Sequence, residues 1–306
     1  LAATPAIGLV VCPGFADYAL LDSGAGRKLE RFGKIVVDRP EAQALWRPRL
    51  QLAEWQKAHA VFSASGEDDE KGRWRVDKPV PDSWPVRAGA ATMLCRLAGL
   101  WHLGLFPEQM PHWEWMRTRI AETAKATGEP ARVLNLFGYT GAASLIAAAE
   151  GAHVTHVDAS KKAIQWGRDN QAASKLGDRP IRWILDDARK FAAREVRRGK
   201  TYNLILVDPP KFGRGPMGET WDLFTDLGAL LADCVKLLDP KDASLALTVY
   251  AIRASTLAFG QLVQETLQGR GSCEIGELAI AEAGERGRLL PTSLFTRWTS
   301  RSVTGR

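Results

Sequence analysis

Residues 133–144 read VLNLFGYTGAAS. An apolar run of strand type breaks at Gly138 and again at Gly141, then continues into alanine-rich sequence of helix type. Glycines at such a junction permit a sharp turn and let a ligand approach the backbone amides that open the helix. Strand, glycine turn and helix start together make a cradle for a nucleotide-like group. The spacing is G-x-x-G, without the third glycine that packs a helix closely over a pyrophosphate. That speaks against NAD or FAD, and the motif alone also fits a plain tight turn.

Around this stretch the chain has two rhythms. From about residue 110 onward, strand and helix patterns alternate: HWEWMRTRIAETAKATG as a helix, then the strands RVLNLF, HVTHVD, IRWILDD, YNLILVD, ASLALTVY and EIGELAI, with helices such as SKKAIQWGRDNQAASKL and TDLGALLADCVKLL between them. Ser160 stands where a helix N-cap belongs. Such alternation predicts an α/β fold with a doubly wound, mostly parallel sheet. Before residue 110 the pattern is β-type. YALLDSG and KLERFGKIVVDRP read as one hairpin, and HAVFSAS with RWRVDKP as another around the polar tip GEDDEKG. TMLCRLAGLWHLGLF reads as further β structure. The expectation is a small β-rich domain over 1–110 and a nucleotide-binding domain over 111–306. No repeat or low-complexity tract interrupts them.

Three more motifs lie at predicted strand ends. Asp158 ends HVTHVD, 17 residues beyond Gly141, where a carboxylate can accept hydrogen bonds from both hydroxyls of a ribose. The pair of glycine turn and acidic strand end points to an adenosine-type ligand. DDA at 186–188 offers an acceptor for an adenine amino group, Asp187 being the chosen residue, with a solvated turn as the bland alternative. LILVDPPKFGRG at 204–215 ends a buried strand in Asp208, followed by two prolines, Lys211 and Phe212. Prolines hold the backbone rigid and lack N–H donors, so a carboxylate and fixed carbonyls form an acceptor site for a target N–H. Phe212 suits stacking on a flat ring. This edge is where open α/β sheets bind ligands.

Composition sets the limits. The chain has 306 residues, a net charge of +6 and 11 tryptophans. The positive charge fits a polyanionic partner such as nucleic acid, and equally a solvated surface. Trp46, Trp55, Trp74 and Trp84 read chiefly as packing residues, with base stacking as the minority reading. Cys12, Cys95, Cys234 and Cys273 are scattered and form no C-x-x-C pair, so structural zinc and a disulfide framework are not expected. His153 and His156 read as packing or surface residues, and no catalytic metal is expected. RKFAAREVRRGK at 189–200 and Arg286, Arg288, Arg297, Arg301 and Arg306 are basic, either as solvated faces or as phosphate contacts. No run reaches the roughly 18 apolar residues of a membrane span, and no leader is evident, so a cytoplasmic location is expected. The given sequence begins at Leu1, not Met.

With NLFGYTGAAS, VDAS, DDARKF and DPPKF in that order and spacing, and GLFPEQMPHWEWM before them, the chain resembles the class I S-adenosylmethionine-dependent methyltransferases. More narrowly it resembles the group of bacterial large-subunit ribosomal RNA cytosine-C5 and guanine-N7 methyltransferases. The resemblance covers most of 90–306. The first 90 residues are similar to a β-rich extension of some members, with no PUA-type RNA-binding module. It implies S-adenosylmethionine as cofactor and S-adenosylhomocysteine as product. It places Phe137, Gly138, Tyr139, Thr140 and Gly141 around the methionine part. Asp158, with Ala159 beside it, would hold the ribose, and Asp187 the adenine amino group. Gln109 would reach the cofactor from the preceding segment. Asp208, Pro209, Pro210 and Lys211 would form the catalytic edge, with Phe212 and Tyr250 against the substrate. The C5 enzymes carry a nucleophilic cysteine at the end of the strand after D-P-P-K. Here that strand is LALTVYAIRAS, with Tyr250 near the expected place. The reading is therefore methyl transfer to a nitrogen of RNA, ribosomal RNA being the substrate the resemblance implies. The alternatives are a small-molecule methyltransferase and a methyltransferase-like RNA-binding protein without activity.

Overall fold

The computed structural model describes residues 6–65, 68–99, 101–250, 254–285 and 287–300. Part of the charged hairpin tip, together with Arg286, Arg301 and Arg306, lies outside the described residues. The chain opens with β1 (Ile7–Cys12). There follow β2 (Tyr18–Gly24), β3 (Arg27–Phe32), β4 (Ile35–Pro40), a short helix α1 (Leu52–Trp55), β5 (Ala60–Ser65), β6 (Asp68–Val76), β7 (Trp84–Ala88) and β8 (Ala91–Cys95). A 3-10 turn (Pro107–Gln109) then leads into the alternating part. This comprises α2 (Met110–Thr127), β9 (Arg132–Leu136), α3 (Ala142–Ala149), β10 (His153–Asp158), α4 (Lys161–Ala173), β11 (Ile181–Leu185), α5 (Ala188–Arg197) and β12 (Leu204–Val207). After it come β13 (Phe212–Arg214), β14 (Thr220–Asp222), α6 (Leu223–Leu237), β15 (Ser244–Tyr250), α7 (Thr256–Thr266), β16 (Ser272–Ala281) and β17 (Leu289–Thr299). These elements form two compact units. One takes the chain up to Val10, Pro111–Leu278 and the chain from Ser293; the other takes Val11–Met110 and Ala279–Thr292.

The first unit is built on an eight-stranded sheet in the order β1-β16-β17-β15-β12-β9-β10-β11. β11, β10, β9, β12 and β15 are mutually parallel, as the alternation predicts, and β17 joins β15 antiparallel. LILV in β12 is buried at every position, the pattern of a central parallel strand covered on both faces. Leu134, Leu136, Ile205, Val207, Leu245 and Leu247 pack with Phe191 of α5 and Leu227, Leu230 and Leu231 of α6 into one core. Ser160 caps α4 by accepting from the Ala163 amide, as its position predicts. The chain builds outward from β9 to β10 and β11, then returns to β12 on the other side of β9. That reversal is a topological switch point, and it opens a crevice at the carboxyl ends of β9 and β12. β1, β17 and the β13–β14 hairpin go beyond the sequence reading. LLPTSLFTRWT contains Pro291 and is buried on both faces, so no alternation announces it.

The second unit holds a five-stranded sheet, β2-β3-β4-β5-β6, and the β7–β8 hairpin. KLERFGKIVVDRP is not one hairpin arm but two strands, because Gly33 turns the chain at φ +60°. Of TMLCRLAGLWHLGLF only the first part is strand; Trp101, Leu103 and Leu105 are buried in irregular chain instead. The four early tryptophans pack and bond within the fold. Their indole N–H groups donate to Ser23 O (Trp46), Asp22 (Trp55), Ala98 O (Trp74) and Phe32 O (Trp84).

This unit also buries charge. Glu30 accepts from Tyr18 Oη at 2.8 Å and from Arg39 Nη2 at 2.6 Å, and Lys28 pairs with Glu41 at 3.1 Å. Nearby Glu108 is buried, and desolvation pushes its carboxyl up to about 7 against the pull of Lys28 and Arg39. A raised carboxyl pKa means that the folded chain holds a proton that the unfolded chain has released. Stability therefore falls as pH rises from the unfolded value of about 4.3 towards 7 and is flat above. Glu108→Gln should remove that decline. Thermal melts of the full chain should give a variant more stable than the parent at about pH 8 and nearly equal to it at about pH 4. Parallel curves across that range would show that Glu108 does not titrate there.

Candidate active site at the carboxyl edge of the sheet

The register of the parallel strands brings the predicted motifs to one edge. Leu136 at the end of β9 lies beside Val157 of β10 and Val207 of β12, and Asp158 lies beside Leu185 of β11. Backbone bonds continue across the edge where the strands stop. The Gly138 amide donates to Val157 O at 3.0 Å, Asp186 to Asp158 O at 3.2 Å, and Asp208 to Leu136 O at 3.5 Å. The glycine turn, Asp158, the Asp186–Asp187 pair and Asp208 thus stand at the ends of four adjacent strands.

The turn itself is strained. Phe137 and Tyr139 have φ of +57° and +50°, a region that side-chain-bearing residues seldom adopt, and Gly141 has φ +88°. Each residue of the turn is anchored. The Phe137 ring packs on Trp221, with centroids 4.9 Å apart. Tyr139 donates its amide to Asp158 Oδ2 at 2.8 Å. Thr140 O accepts from Asn170 Nδ2 at 2.9 Å. Gly138 lies so close over the His156 ring that a Cβ there would overlap it, and a Cβ on Gly141 would come 2.7 Å from Trp183. The glycines are needed because two aromatic rings fill the space beneath the turn. Thr140 and Gly141 are buried, whereas Phe137, Gly138 and Tyr139 are partly exposed.

The carboxylates differ in what they already hold. Asp158 is half-buried. Its Oδ2 accepts from Tyr139 and its Oδ1 from Ser160, at 2.8 Å each. Desolvation raises its pKa, and those two amides oppose the rise. Asp187 is the N-cap of α5: its Oδ1 accepts from the Arg189 and Lys190 amides at 3.0 Å each. Asp186 pairs with Arg194 at 2.6 Å. Asp208 is half-buried, with Pro209 buried and Pro210 exposed. Trp221 Nε1 donates to Pro210 O at 2.7 Å and the Leu223 amide donates to Lys211 O, so those two carbonyls already have partners within the fold. The chain then runs out into the β13–β14 hairpin. Phe212 is 62% exposed there, with Lys211 Nζ 5.1 Å from its ring centroid. Ala159 follows Asp158 and is half-buried, and half-buried Tyr250 ends β15 in register with Ser293. Gln109 closes the 3-10 turn and belongs to the other unit.

Carboxylates on three of these four strand ends suit a ligand rich in O–H and N–H donors, which is the chemistry of an adenosine. Sequence reasoning missed five groups that hold this edge together, Asn135, Ser144, Asn170, Trp183 and Trp221; His156, expected as a packing or surface residue, packs beneath the turn. Each is an ordinary strand or helix residue until the fold packs it against the turn. The basic helix α5 is mostly engaged within the protein. Arg189 pairs with Asp226, Lys190 with Glu219, Arg194 with Asp186 and Arg198 with Glu195.

Comparison with known proteins places this edge in context. Residues 107–243 match the family described as "Conserved hypothetical protein 95". The chain is 41% identical over 111 residues to the ribosomal RNA large subunit methyltransferase K/L of Shewanella baltica. That match covers 36% of this chain and 15% of the relative, so the chain spans only a small part of its length. In structure, the fold matches a protein described as "a putative methyltransferase complexed with SAH" at TM-score 0.70 and 16% identity, covering 92% of this chain and 75% of that one. It matches the SAM-dependent methyltransferase of Agrobacterium tumefaciens at TM-score 0.90 and 48% identity, over 96% of this chain and 95% of that one. With likeness of that degree along almost the whole length of both, the chain belongs to the S-adenosylmethionine-dependent methyltransferases.

Proposed function

We propose that this enzyme methylates a nitrogen atom of ribosomal RNA, in the cytoplasm, with the carboxyl edge of β9–β12 as its active site. The observation that carries the reading is Asp208: a half-buried carboxylate on a proline-stiffened turn, one strand from the glycine turn. The names of the relatives supply the RNA. The chemistry of the four cysteines supports nitrogen over carbon. Burial pushes the thiols of Cys12 and Cys234 up to about 11 and about 12, and those of Cys95 and Cys273 also upward, the reverse of thiolate activation.

S-adenosylmethionine supplies a methyl group already activated on a sulfonium. What remains for the protein is alignment and the exclusion of water. In this reading Phe137, Gly138, Tyr139, Thr140 and Gly141 surround the methionine part through the turn. Asp158 accepts from the ribose hydroxyls with Ala159 beside it, and Asp187 accepts from the adenine amino group. Asp208 accepts an N–H of the target amine, turns its lone pair towards the methyl and takes the proton that leaves. Pro209 and Pro210 keep Asp208 from swinging away. Phe212 and Tyr250 offer rings to an unstacked base, and Lys211 meets a phosphate or an oxygen of the substrate. The 1–110 region contributes to substrate choice. Because the cations of α5 are largely paired, we assign phosphate contacts elsewhere than that helix.

Ribosomal RNA from a strain lacking the gene should accept methyl groups from the purified enzyme, and nucleoside mass spectrometry should locate them on a base nitrogen. RNA that gains none, alongside a small metabolite that does, would replace the substrate assignment. Asp158→Ala should weaken S-adenosylmethionine binding about tenfold or more by titration calorimetry, through loss of a charged acceptor. Asp208→Ala should bind the cofactor almost normally while turnover falls by about 100-fold or more. RNA affinity should drop steeply with salt, each neutralised phosphate adding about −0.7 to the logarithmic slope on single strands; a flat response would favour a small-molecule substrate.

A further inference from the structure

Asn135, Ser144 and His156 form a hydrogen-bonded line beneath the glycine turn. Asn135 Nδ2 donates to Ser144 Oγ at 2.9 Å, and Ser144 Oγ lies 2.9 Å from His156 Nδ1. The imidazole packs on the Trp183 ring at 4.4 Å between centroids, and Trp183 Nε1 donates to Gln171 Oε1 at 2.9 Å. A serine–histidine pair resembles a nucleophile with its base. Here both residues are 0% exposed, so no substrate can reach them. Burial also drives the histidine pKa down to about 3, so the ring is neutral at physiological pH. His156 Nε2 makes no hydrogen bond of good geometry.

A buried polar line is costly in a sheet that could hold apolar residues at the same places. Its position suggests a use. The ring lies directly under Gly138, between the two residues held in the left-handed region. Strained backbone of this kind persists only where its surroundings leave no other arrangement. Asp158 holds the turn from the rim by the Tyr139 amide; His156 closes off the space into which Gly138 would otherwise sink. We infer that Ser144 and His156 are positioning residues for cofactor binding: the Asn135–Ser144–His156 line fixes the height of the 137–141 turn. Ser144 Oγ accepts from Asn135 and shares one proton with His156 Nδ1, so both bonds of the line pass through the serine hydroxyl.

The test is cofactor affinity measured against stability. Ser144→Ala breaks the line in its middle, and His156→Leu removes the ring while keeping apolar bulk. Both should raise the calorimetric Kd for S-adenosylmethionine and S-adenosylhomocysteine about tenfold. His156→Asn, which keeps an amide at the Nδ1 position, should recover part of the loss in comparison with Leu. Ile205→Val serves as control, removing a methylene from the core of the same sheet and leaving the turn untouched. It should lower the melting temperature and leave both Kd values within about twofold. If Ser144→Ala behaves like Ile205→Val, melting lower at unchanged Kd, the positioning role is wrong. Should the variants fail to fold, the parent protein still decides. Nitrogen NMR of His156 should report a neutral ring that shifts when saturating S-adenosylhomocysteine is added. A charged ring, or a ring indifferent to the ligand, overturns the inference.

Discussion

The site depends on holding five residues in a shape the chain would not choose by itself. Phe137 and Tyr139 both sit at positive φ, each at a cost on the order of 1–2 kcal/mol. What offsets this is specific. The Tyr139 amide donates to a carboxylate at 2.8 Å, a charge-assisted bond of about 1.5–3 kcal/mol. The Phe137 ring lies against Trp221, Asn170 holds the Thr140 carbonyl, and two rings lie under Gly138 and Gly141. These anchors come from α4, β10, β11 and β14. Their agreement gives the turn one conformation, so the entropy of ordering it is removed by the fold.

The same economy appears in the carboxylates. Asp158 holds the turn and the start of α4 together, and Asp187 caps α5. A carboxylate has about four acceptor positions, so a group committed to backbone amides can still receive a ligand hydroxyl or amine. Fixing it first by the fold gives geometry that a free side chain lacks. The cost shows in the raised pKa of Asp158, whose charge is partly removed from water. Asp208 is placed in another way, through proline rigidity and the Trp221 bond to Pro210 O.

Both units pair their charges, to different depths. In the first, partly exposed cations along and just beyond α5 pair with carboxylates that are half-buried, Asp226 and Asp186, or buried, Glu195. In the second, Lys28, Glu30, Arg39, Glu41 and Glu108 are buried together. The net charge of +6 therefore does not translate directly into a nucleic-acid surface. Part of the positive charge is neutralised inside the fold, where screening by salt is weak.

Much of this was legible in the amino-acid order. Local patterns carry the alternation of strand and helix after residue 110, the glycine turn, the caps at Ser160 and the strand-end acids, because each is a property of a few neighbouring residues. The burial of Cys234 inside α6 follows the same logic. What sequence could not supply depends on distant residues meeting. Gly33 divides a stretch that looks continuous, and β17 hides behind a proline and two-sided burial. Pro210 O as a partner of Trp221 emerges only from packing. His156 shows the difference most clearly. Its strand position was readable, but its place under Gly138 and beside Ser144 exists only because β9, β10 and α3 come together at one edge. The sequence by itself determined the chemical groups and the strand ends that bear them. The tertiary structure decided which of them support the turn and which are left to meet a ligand, because that division depends on contacts between residues far apart in the chain.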